Sequence, residues 1–154
     1  MRWNDLAEEA CPVARGLSVI GDRWTMLVLR ECFLGVRRFD AMQERLGITR
    51  HVLADRLRKL EAAGVLRREP YQQRPLRHEY RLTDRGKALY PVLVTLIDWA
   101  NRNVPATSEP SITLISRETG EPIAPRLVDA NTGGEITHRT VRARGDSLPE
   151  KPAG

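Results

Sequence analysis

The chain has 154 residues, 41% of them hydrophobic, a net charge of +5 and a sequence pI of about 9.8. This composition supports one core with an appendage, and the basic balance points to an anionic partner. No apolar run reaches the ~18 residues of a membrane span, and the charged N-terminus lacks an apolar signal core, so we expect a cytoplasmic protein. Two cysteines are too few for a disulfide framework.

The first predicted elements are a short polar arm and two helices. Residues 1–10 form the arm. Pro12 suits the first position of a helix, which leaves Cys11 as its N-cap. After a break, Asp22 can cap a second helix over 23–34, which is mostly apolar and is therefore expected to be central.

Two short amphipathic helices follow, joined by a Gly-Ile-Thr turn. Their apolar positions lie at helical spacing: Phe39, Met42 and Leu46 in the first, and Leu53, Leu57 and Leu60 in the second. Gly47 ends the first helix and Thr49 caps the second. This pattern is typical of a helix-turn-helix, whose second helix enters the major groove by its N-terminal tip. The predicted DNA contacts of that helix are Thr49, Arg50, His51, Ala54 and Arg58.

A basic hairpin comes next. Residues 65–69 and 77–82 are the predicted strands, since the second alternates with a period of two. Pro70 and Pro75 interrupt the stretch between them, which predicts a wing rather than regular strand. An arginine on such a thin loop suits the narrow, electronegative minor groove. The predicted contacts of the wing and its flanks are Arg37, Arg38, Gln72, Gln73, Arg74 and Arg77.

The positive charge is concentrated in this part of the chain. Residues 37–81 hold 12 basic and 6 acidic residues, a net of +6, whereas the remaining residues hold 13 and 14, a net of −1. A charge distribution that served solubility alone has no reason to concentrate there. We therefore predict double-stranded DNA as the partner. The alternative is a winged-helix adaptor that binds an acidic protein.

After the wing, Thr83 is expected to cap a long helix over 84–104, kinked where Pro91 removes a backbone donor. Its apolar stripe is wider than a small winged domain needs, and the simplest use of the excess is a homodimer, helix against helix. A monomer that packs this face on the N-terminal helices is the alternative. The stripe consists of Leu89, Val92, Leu93, Leu96, Trp99 and Ala100.

The C-terminal part is predicted to be a small extension. Residues 105–111 form a linker. A repeat then brings a Thr-Gly pair twice, at Thr119 and Thr132, which predicts two small β-hairpins over 112–144. With so few apolar residues the extension should not be stable alone. Residues 145–154 are predicted to be disordered.

Five short motifs occur between residues 11 and 86: Cys-Pro at 11–12, Gly-Asp-Arg-Trp at 21–24, Arg-Arg-Phe at 37–39, Leu-Ala-Asp-Arg-Leu at 53–57 and Tyr-Arg-Leu-Thr-Asp-Arg-Gly at 80–86. They resemble the HxlR-type family of bacterial transcriptional regulators. The resemblance covers about residues 11–104 and implies a homodimeric repressor or activator. The predicted fold is therefore mainly α with a small β wing: a winged helix-turn-helix with a C-terminal β-hairpin extension.

No metal, other cofactor or catalytic site is predicted. Some members of the resembled family carry cysteines around such tail turns, whereas the corresponding places here hold Thr119, Asp129 and Thr132. A structural zinc site needs about four Cys or His ligands, and the histidines of this chain lie far apart in sequence. Hydrolase, nucleotide-binding and metalloprotease motifs are also missing from the sequence, so we do not expect an enzyme.

Cys11 is a candidate redox or electrophile sensor. Free N–H groups and the positive end of the helix dipole stabilise a thiolate, and Arg15 adds positive charge one turn later. In some members of the resembled family, a cysteine before the same proline senses oxidants through a disulfide between subunits. The alternatives are a buried cap without a regulatory role, and a small molecule as the signal. Cys32 lies on an apolar helix and is expected to be a core residue.

Overall fold

The computed structural model describes residues 3–109 and 112–145. A 3₁₀ helix (Trp3–Glu8) comes first. The helices that follow are α1 (Pro12–Ile20), α2 (Arg23–Phe33), α3 (Phe39–Leu46), α4 (Arg50–Ala62), α5 (Asp84–Lys87) and α6 (Tyr90–Asn103), and the strands are β1 (Leu66–Gln73) and β2 (Leu76–Leu82). The chain divides into two compact units between Ile97 and Asp98, within α6. None of the helices in the described residues is long and apolar enough to cross a bilayer.

The core of the first unit lies among α2, α3, α4 and the start of β1. Its buried apolar side chains are Val28, Leu29, Cys32, Met42, Ile48, Leu53, Leu57, Leu60, Val65 and Leu66. Burying one large aliphatic side chain contributes about 1.5–3 kcal/mol, so this cluster holds the helix pair α3–α4 in place. The helix pair followed by the β1–β2 hairpin confirms the predicted winged helix-turn-helix.

Local chemistry sets the helix ends. The Oδ1 of Asp22 accepts hydrogen bonds from two backbone N–H groups at the start of α2, at 2.9 and 3.3 Å. Gly47 ends α3 with a left-handed backbone, at a φ of 64°, which glycine adopts without steric cost. The Oγ1 of Thr49 caps α4 at 3.3 Å from the N–H of Val52. Cys11 occupies the N-cap of α1, as predicted, although its thiol makes no capping hydrogen bond.

The wing hairpin is longer than the sequence predicts. The two strands pair antiparallel from Leu66 opposite Leu82 to Gln73 opposite Leu76. Pro70 lies inside β1, so the prediction of irregular chain there is wrong. A β-bulge follows Pro70 and releases a residue from the hydrogen-bond ladder, and both strands of a two-stranded sheet are edge strands. Proline is tolerated in such places because no central ladder bond is lost.

The helix predicted over 84–104 is in fact two helices. The first ends at Lys87 and the second begins at Tyr90, so Pro91 does not kink one continuous helix. Pro91 lies in the first turn of α6, where the backbone N–H of any residue has no helical acceptor. A proline there removes no hydrogen bond, and its fixed φ favours the start of a helix.

Close packing joins α5 to the base of the wing. The backbone N–H of Thr83 donates to the carbonyl oxygen of Val65 at 3.1 Å. A Cβ built on Gly86 would lie only 2.2 Å from that same oxygen and 3.0 Å from Cδ2 of Leu82. Only a residue without a side chain fits between the helix and the strand.

The second unit contains the two predicted turns, each closed by a single antiparallel bridge. Ile115 bridges Pro122, and Val128 bridges Glu135. The glycines of the two Thr-Gly pairs have positive φ values of 75° and 72°. Between residues 112 and 145 the hairpins stop at these bridges and do not extend into the predicted strands. Too few apolar side chains are present to cover a sheet face, so longer pairing is not stabilised.

Side-chain oxygens hold the same turns. In the first turn, Oγ of Ser116 accepts from the backbone N–H groups of Glu118 and Thr119, both at 3.2 Å. In the second, Oδ1 of Asp129 accepts from the backbone N–H of Asn131 at 2.9 Å. Across the described residues, no three His, Cys, Asp or Glu side chains are grouped as metal ligands. The predicted disordered tail, apart from residue 145, and residues 110 and 111 of the predicted linker lie outside the described ranges.

Candidate nucleic-acid interface

The outer face of α4 begins at an exposed N-terminal tip. Leu53 and Leu57 on the inner face are fully buried, so packing fixes which way the helix faces. The predicted DNA-reading residues are all exposed: Thr49, Arg50, His51, Ala54 and Arg58. An apolar inner face with a polar, basic outer face is what a recognition helix requires.

Arg50, the first residue of α4, is held by α3. Its Nη1 donates to Oδ1 of Asp40 at 2.9 Å and to Oε1 of Gln43 at 3.3 Å. The guanidinium carbon also lies 4.7 Å from the centroid of the Phe39 ring, a cation–π distance. The predicted base-reading arginine therefore has a defined position before it meets any ligand.

Farther along α4, Asp55 partly neutralises the outer face. One of its oxygens lies 2.6 Å from Arg58, and the other lies 2.9 Å from Lys59 and 2.5 Å from Arg56. The hydrogen bond from Lys59 lowers the pKa of the Asp55 carboxyl, and the arginines add to the effect. A phosphate that approaches Arg58 must compete with this carboxylate.

The tip of the wing carries exposed cations. Gln73, Arg74 and Arg77 are exposed, while Gln72 is half-buried and donates to the carbonyl of Arg74 at 3.3 Å. Neither Arg74 nor Arg77 forms an ion pair with any residue that the structure describes. Both guanidinium groups are therefore available to an external anion.

The segment before α3 is joined to the wing. The carbonyl oxygen of Arg37 accepts from the backbone N–H of Tyr80 at 2.8 Å. The guanidinium of Arg38 lies 4.4 Å from the centroid of the Tyr71 ring. The predicted flank residues Arg37 and Arg38 are thus exposed beside the hairpin, as part of one basic surface.

Two ion clusters that position these elements were missed by sequence reasoning. In the first, Arg56 donates from Nε and Nη2 to the two oxygens of Asp22, at 2.7 and 3.1 Å, across 34 residues of chain. Asp22 also caps α2, so one carboxylate joins that helix to α4. Arg56 on α4 therefore acts as scaffold. No local spacing rule links residues so far apart.

The second cluster surrounds Glu31, whose side chain is 0% exposed. It accepts from Arg30 at 2.7 Å and from Nε of Arg45 on α3. Burial opposes ionisation, but the hydrogen bonds from Arg45 and Arg30 outweigh it and hold the pKa of Glu31 below its ordinary value. The sequence does contain a signal for this cluster, because Glu31 is a charged residue within a mostly apolar helix and a buried carboxylate requires a partner.

The two cysteines have opposite environments. Cys11 is exposed, which removes the alternative that it is a buried cap. Nη1 of the nearby Arg15 donates to the carbonyl oxygens of Glu9 and Ala10, at 3.0 and 2.6 Å. Cys32 is buried, as predicted, and burial raises the pKa of its thiol to about 12.

A cleft of about 1330 Å³ lies beside the C-terminal half of α4. Among its lining residues are Arg15, Arg23, Arg56, Lys59 and Arg85. At 1.5 Å per residue, its lining on α4 begins at Arg56, roughly 9 Å along the helix from Arg50.

Comparison with known proteins places the chain in a family. Residues 19–108 match the family described as HxlR-like helix-turn-helix. An HTH-type transcriptional regulator of Mycobacterium tuberculosis is 45% identical over 92% of this chain and 90% of its own. The crystal structure of PA1607, named as a transcription factor, matches with a TM-score of 0.81 and 37% identity, over 91% of this chain and 98% of that one.

The redox regulator HypR in its reduced form matches with a TM-score of 0.57 and 35% identity, over 60% of this chain and 93% of its own. Its oxidised form also matches, with the same TM-score and identity. The family match spans the helix-turn-helix and the wing and ends at residue 108, and the fuller matches cover 91% and 92% of this chain. The chain therefore belongs to the HxlR-like helix-turn-helix family of transcriptional regulators.

Proposed function

We propose that this regulator is a sequence-specific DNA-binding protein rather than an enzyme, and that it acts in the cytoplasm. The tip of α4 enters the major groove, where Thr49, Arg50 and His51 meet base edges, and the wing lies over the adjacent minor groove. The observation that carries the proposal is the exposed basic tip on a helix whose inner face is fully buried. The net charge of +6 over residues 37–81 supports a polyanionic partner.

A footprint on the DNA upstream of the gene, with unrelated DNA as competitor, tests this proposal. A protected site that survives competition supports it. Equal affinity for both DNAs, with no protected site, favours the second candidate, an adaptor whose basic surface binds an acidic protein. Salt dependence cannot separate the two, because both interactions are electrostatic.

The roles of the two basic elements differ in this proposal. Arg50→Ala should lower discrimination among sites by about 1–3 kcal/mol, because a bidentate contact to guanine is lost. Arg74→Ala should weaken binding to many sequences and reduce the salt slope by about one unit, because a phosphate contact is lost. Uniform loss of affinity in both variants, with specificity intact, would show that α4 is not the reader.

We also propose that the protein binds as a homodimer, formed within residues 1–104, to an inverted repeat. The support is the unused apolar surface of α6, where Val92, Leu96 and Trp99 are 42%, 45% and 58% exposed. Two recognition helices should then lie in successive major grooves about 34 Å apart. A footprint confined to one asymmetric half-site at saturating protein contradicts this geometry.

Light scattering tests the dimer directly. Leu96→Asp places a charge in the exposed apolar stripe and should lower the molar mass towards that of a monomer, because burying an unpaired carboxylate opposes association. Asn101→Asp adds the same charge at an exposed polar position of the same helix and should leave the mass unchanged. A monomeric wild type, or identical masses for all three proteins, rejects association through this stripe.

Finally, we propose that Cys11 responds to oxidants or electrophiles. Three observations support this: the exposed thiol, its place at the N-terminus of α1, and the similarity to the redox regulator HypR. Diamide should change the DNA affinity of the wild type reversibly and leave Cys11→Ser unaffected. If both proteins respond alike, or neither responds, Cys11 has no regulatory role and the signal is a different one, such as a small molecule.

A further inference from the structure

The hydrogen bonds that Arg50 donates to α3 come from one nitrogen of its guanidinium. A guanidinium has five N–H donors, two of them on Nη1. Both acceptors from α3, Asp40 Oδ1 and Gln43 Oε1, are bonded by Nη1. The Nε–Nη2 edge makes no hydrogen bond to any residue that the structure describes. That edge carries two parallel donors, which is the arrangement that a guanine O6/N7 pair accepts.

The Asp40–Arg50 pair contributes little to the stability of the fold. The side chains are 84% and 69% exposed, and ion pairs between exposed groups contribute little to stability because water screens them. Arg50 nevertheless has three contacts to one short helix, since the Phe39 ring lies under its guanidinium. Contacts that order a side chain without stabilising the protein are expected where the order itself has a use.

We propose that Asp40 is a positioning residue that sets the DNA specificity of Arg50. It holds Nη1 so that the Nε–Nη2 edge is already directed at a base pair when the protein meets its operator. This inference rests on the proposed function, since it assumes that Arg50 reads DNA. It adds a residue on α3, outside the recognition helix, to the set that decides which sequence is bound.

Two effects of Asp40 act in the same direction. At the operator, Arg50 keeps its contact with Asp40, and the entropy of ordering a long side chain has already been lost in the free protein. On other DNA, the guanidinium must turn towards a phosphate, and the negative Asp40 both retains the arginine and repels that phosphate. Asp40 therefore favours the operator and disfavours the remaining DNA.

The chain offers a matched control on the same helix. Glu44 lies one turn after Asp40, is exposed, and makes no ion pair with any described residue. Asp40→Asn and Glu44→Gln remove the same charge from neighbouring positions of α3. A general loss of negative charge raises the affinity for all DNA alike and leaves the ratio of operator to unrelated affinity unchanged. Only the loss of positioning lowers that ratio.

The experiment measures the affinity of the full-length protein for its footprinted operator and for unrelated DNA of equal length, at three salt concentrations. Asp40→Asn should lower the ratio of the two affinities by about fivefold to tenfold, through tighter unrelated binding and weaker operator binding. Glu44→Gln should change the ratio by less than about twofold. Asp40→Glu keeps the charge and acceptor and should recover part of the ratio.

A double-mutant cycle separates positioning from a general effect on the fold. In the Arg50→Ala background, Asp40→Asn should change the affinity ratio no more than Glu44→Gln does, because no guanidinium remains to position. Equal ratios for Asp40→Asn and Glu44→Gln in the wild-type background overturn the inference while the operator preference stands. A wild type without any preferred site refutes the proposed function and this inference with it.

Discussion

Replacing Gly86 tests how tightly the base of the wing is packed. In Gly86→Ala the new Cβ would lie 2.2 Å from the carbonyl oxygen of Val65, more than about 1 Å inside ordinary contact. The oxygen belongs to the backbone just before β1, so it cannot rotate away as a side chain can. Either α5 or the start of the wing must move, and the 3.1 Å hydrogen bond from Thr83 to the same oxygen is lengthened.

The expected cost follows from these contacts. Forcing one extra carbon into a packed site costs about 1–3 kcal/mol, and losing the Thr83–Val65 hydrogen bond costs about 1 kcal/mol more. In the opposite direction, replacing glycine by alanine in a helix stabilises the helix by about 0.5–1 kcal/mol. Gly86→Ala should therefore lower the free energy of unfolding by about 1–3.5 kcal/mol.

Gly16→Ala is the matched control. Gly16 lies within α1, and a Cβ there meets no atom of the described residues within 4 Å, apart from its chain neighbours and the nearby backbone of its own helix. This variant should raise the free energy of unfolding by about 0.5–1 kcal/mol. Urea unfolding followed by circular dichroism, at one protein concentration for all variants, measures both values. The packing argument is refuted if Gly86→Ala lies within about 0.5 kcal/mol of the wild type, or if both alanines destabilise equally.

Three further predictions concern charge and local bonding. Folding lowers the pKa of Glu31, so the ionised side chain stabilises the folded protein. This stabilisation is fully present above the ordinary pKa of 4.5 and is lost as the pH falls through the lower pKa of the folded state. The free energy of unfolding of Glu31→Gln at neutral pH should therefore be about 1–3 kcal/mol lower than that of the wild type. Measured by urea unfolding, it should also depend less on pH in the acid range. Parallel curves of that free energy against pH for the two proteins contradict this. Ellman's reagent should label Cys11 rapidly and Cys32 only on unfolding. Burial keeps the reagent from Cys32, and its raised pKa of about 12 suppresses the reactive thiolate. Rapid labelling of both thiols contradicts the prediction. Asp129→Ala should speed amide hydrogen exchange in its own turn about fivefold to tenfold and leave exchange in α2 and α4 unchanged. Exchange in the turn that is as slow as in the wild type means that the Asp129 side chain does not hold the turn.

Local sequence signals predicted most of the helix boundaries. The cap at Asp22, the cap at Thr49 and the left-handed Gly47 were predicted from residues within four positions and are confirmed. The inward leucines of α4 followed from a period of 3.6 residues and are buried. Such features depend on the chain close by, so the sequence alone is sufficient for them.

The two proline predictions show the limit of local reasoning. Pro70 was expected to interrupt regular strand and Pro91 to kink a helix, and both predictions are wrong. Whether a missing N–H matters depends on whether a partner strand or a preceding helical turn presents an acceptor to it. That is a property of pairing and of where an element begins, which proline itself does not specify.

The sequence by itself determined the family, the winged helix-turn-helix and the exposed basic face of α4, because periodicity, capping and charge concentration are properties of contiguous residues. Only the tertiary structure decided which charges are free and which are committed. Arg56 is bound to Asp22, Arg45 to Glu31 and Arg50 to Asp40. These partners are 10 to 34 residues apart, and they meet because the buried faces of the helices fix the packing that brings their polar edges together.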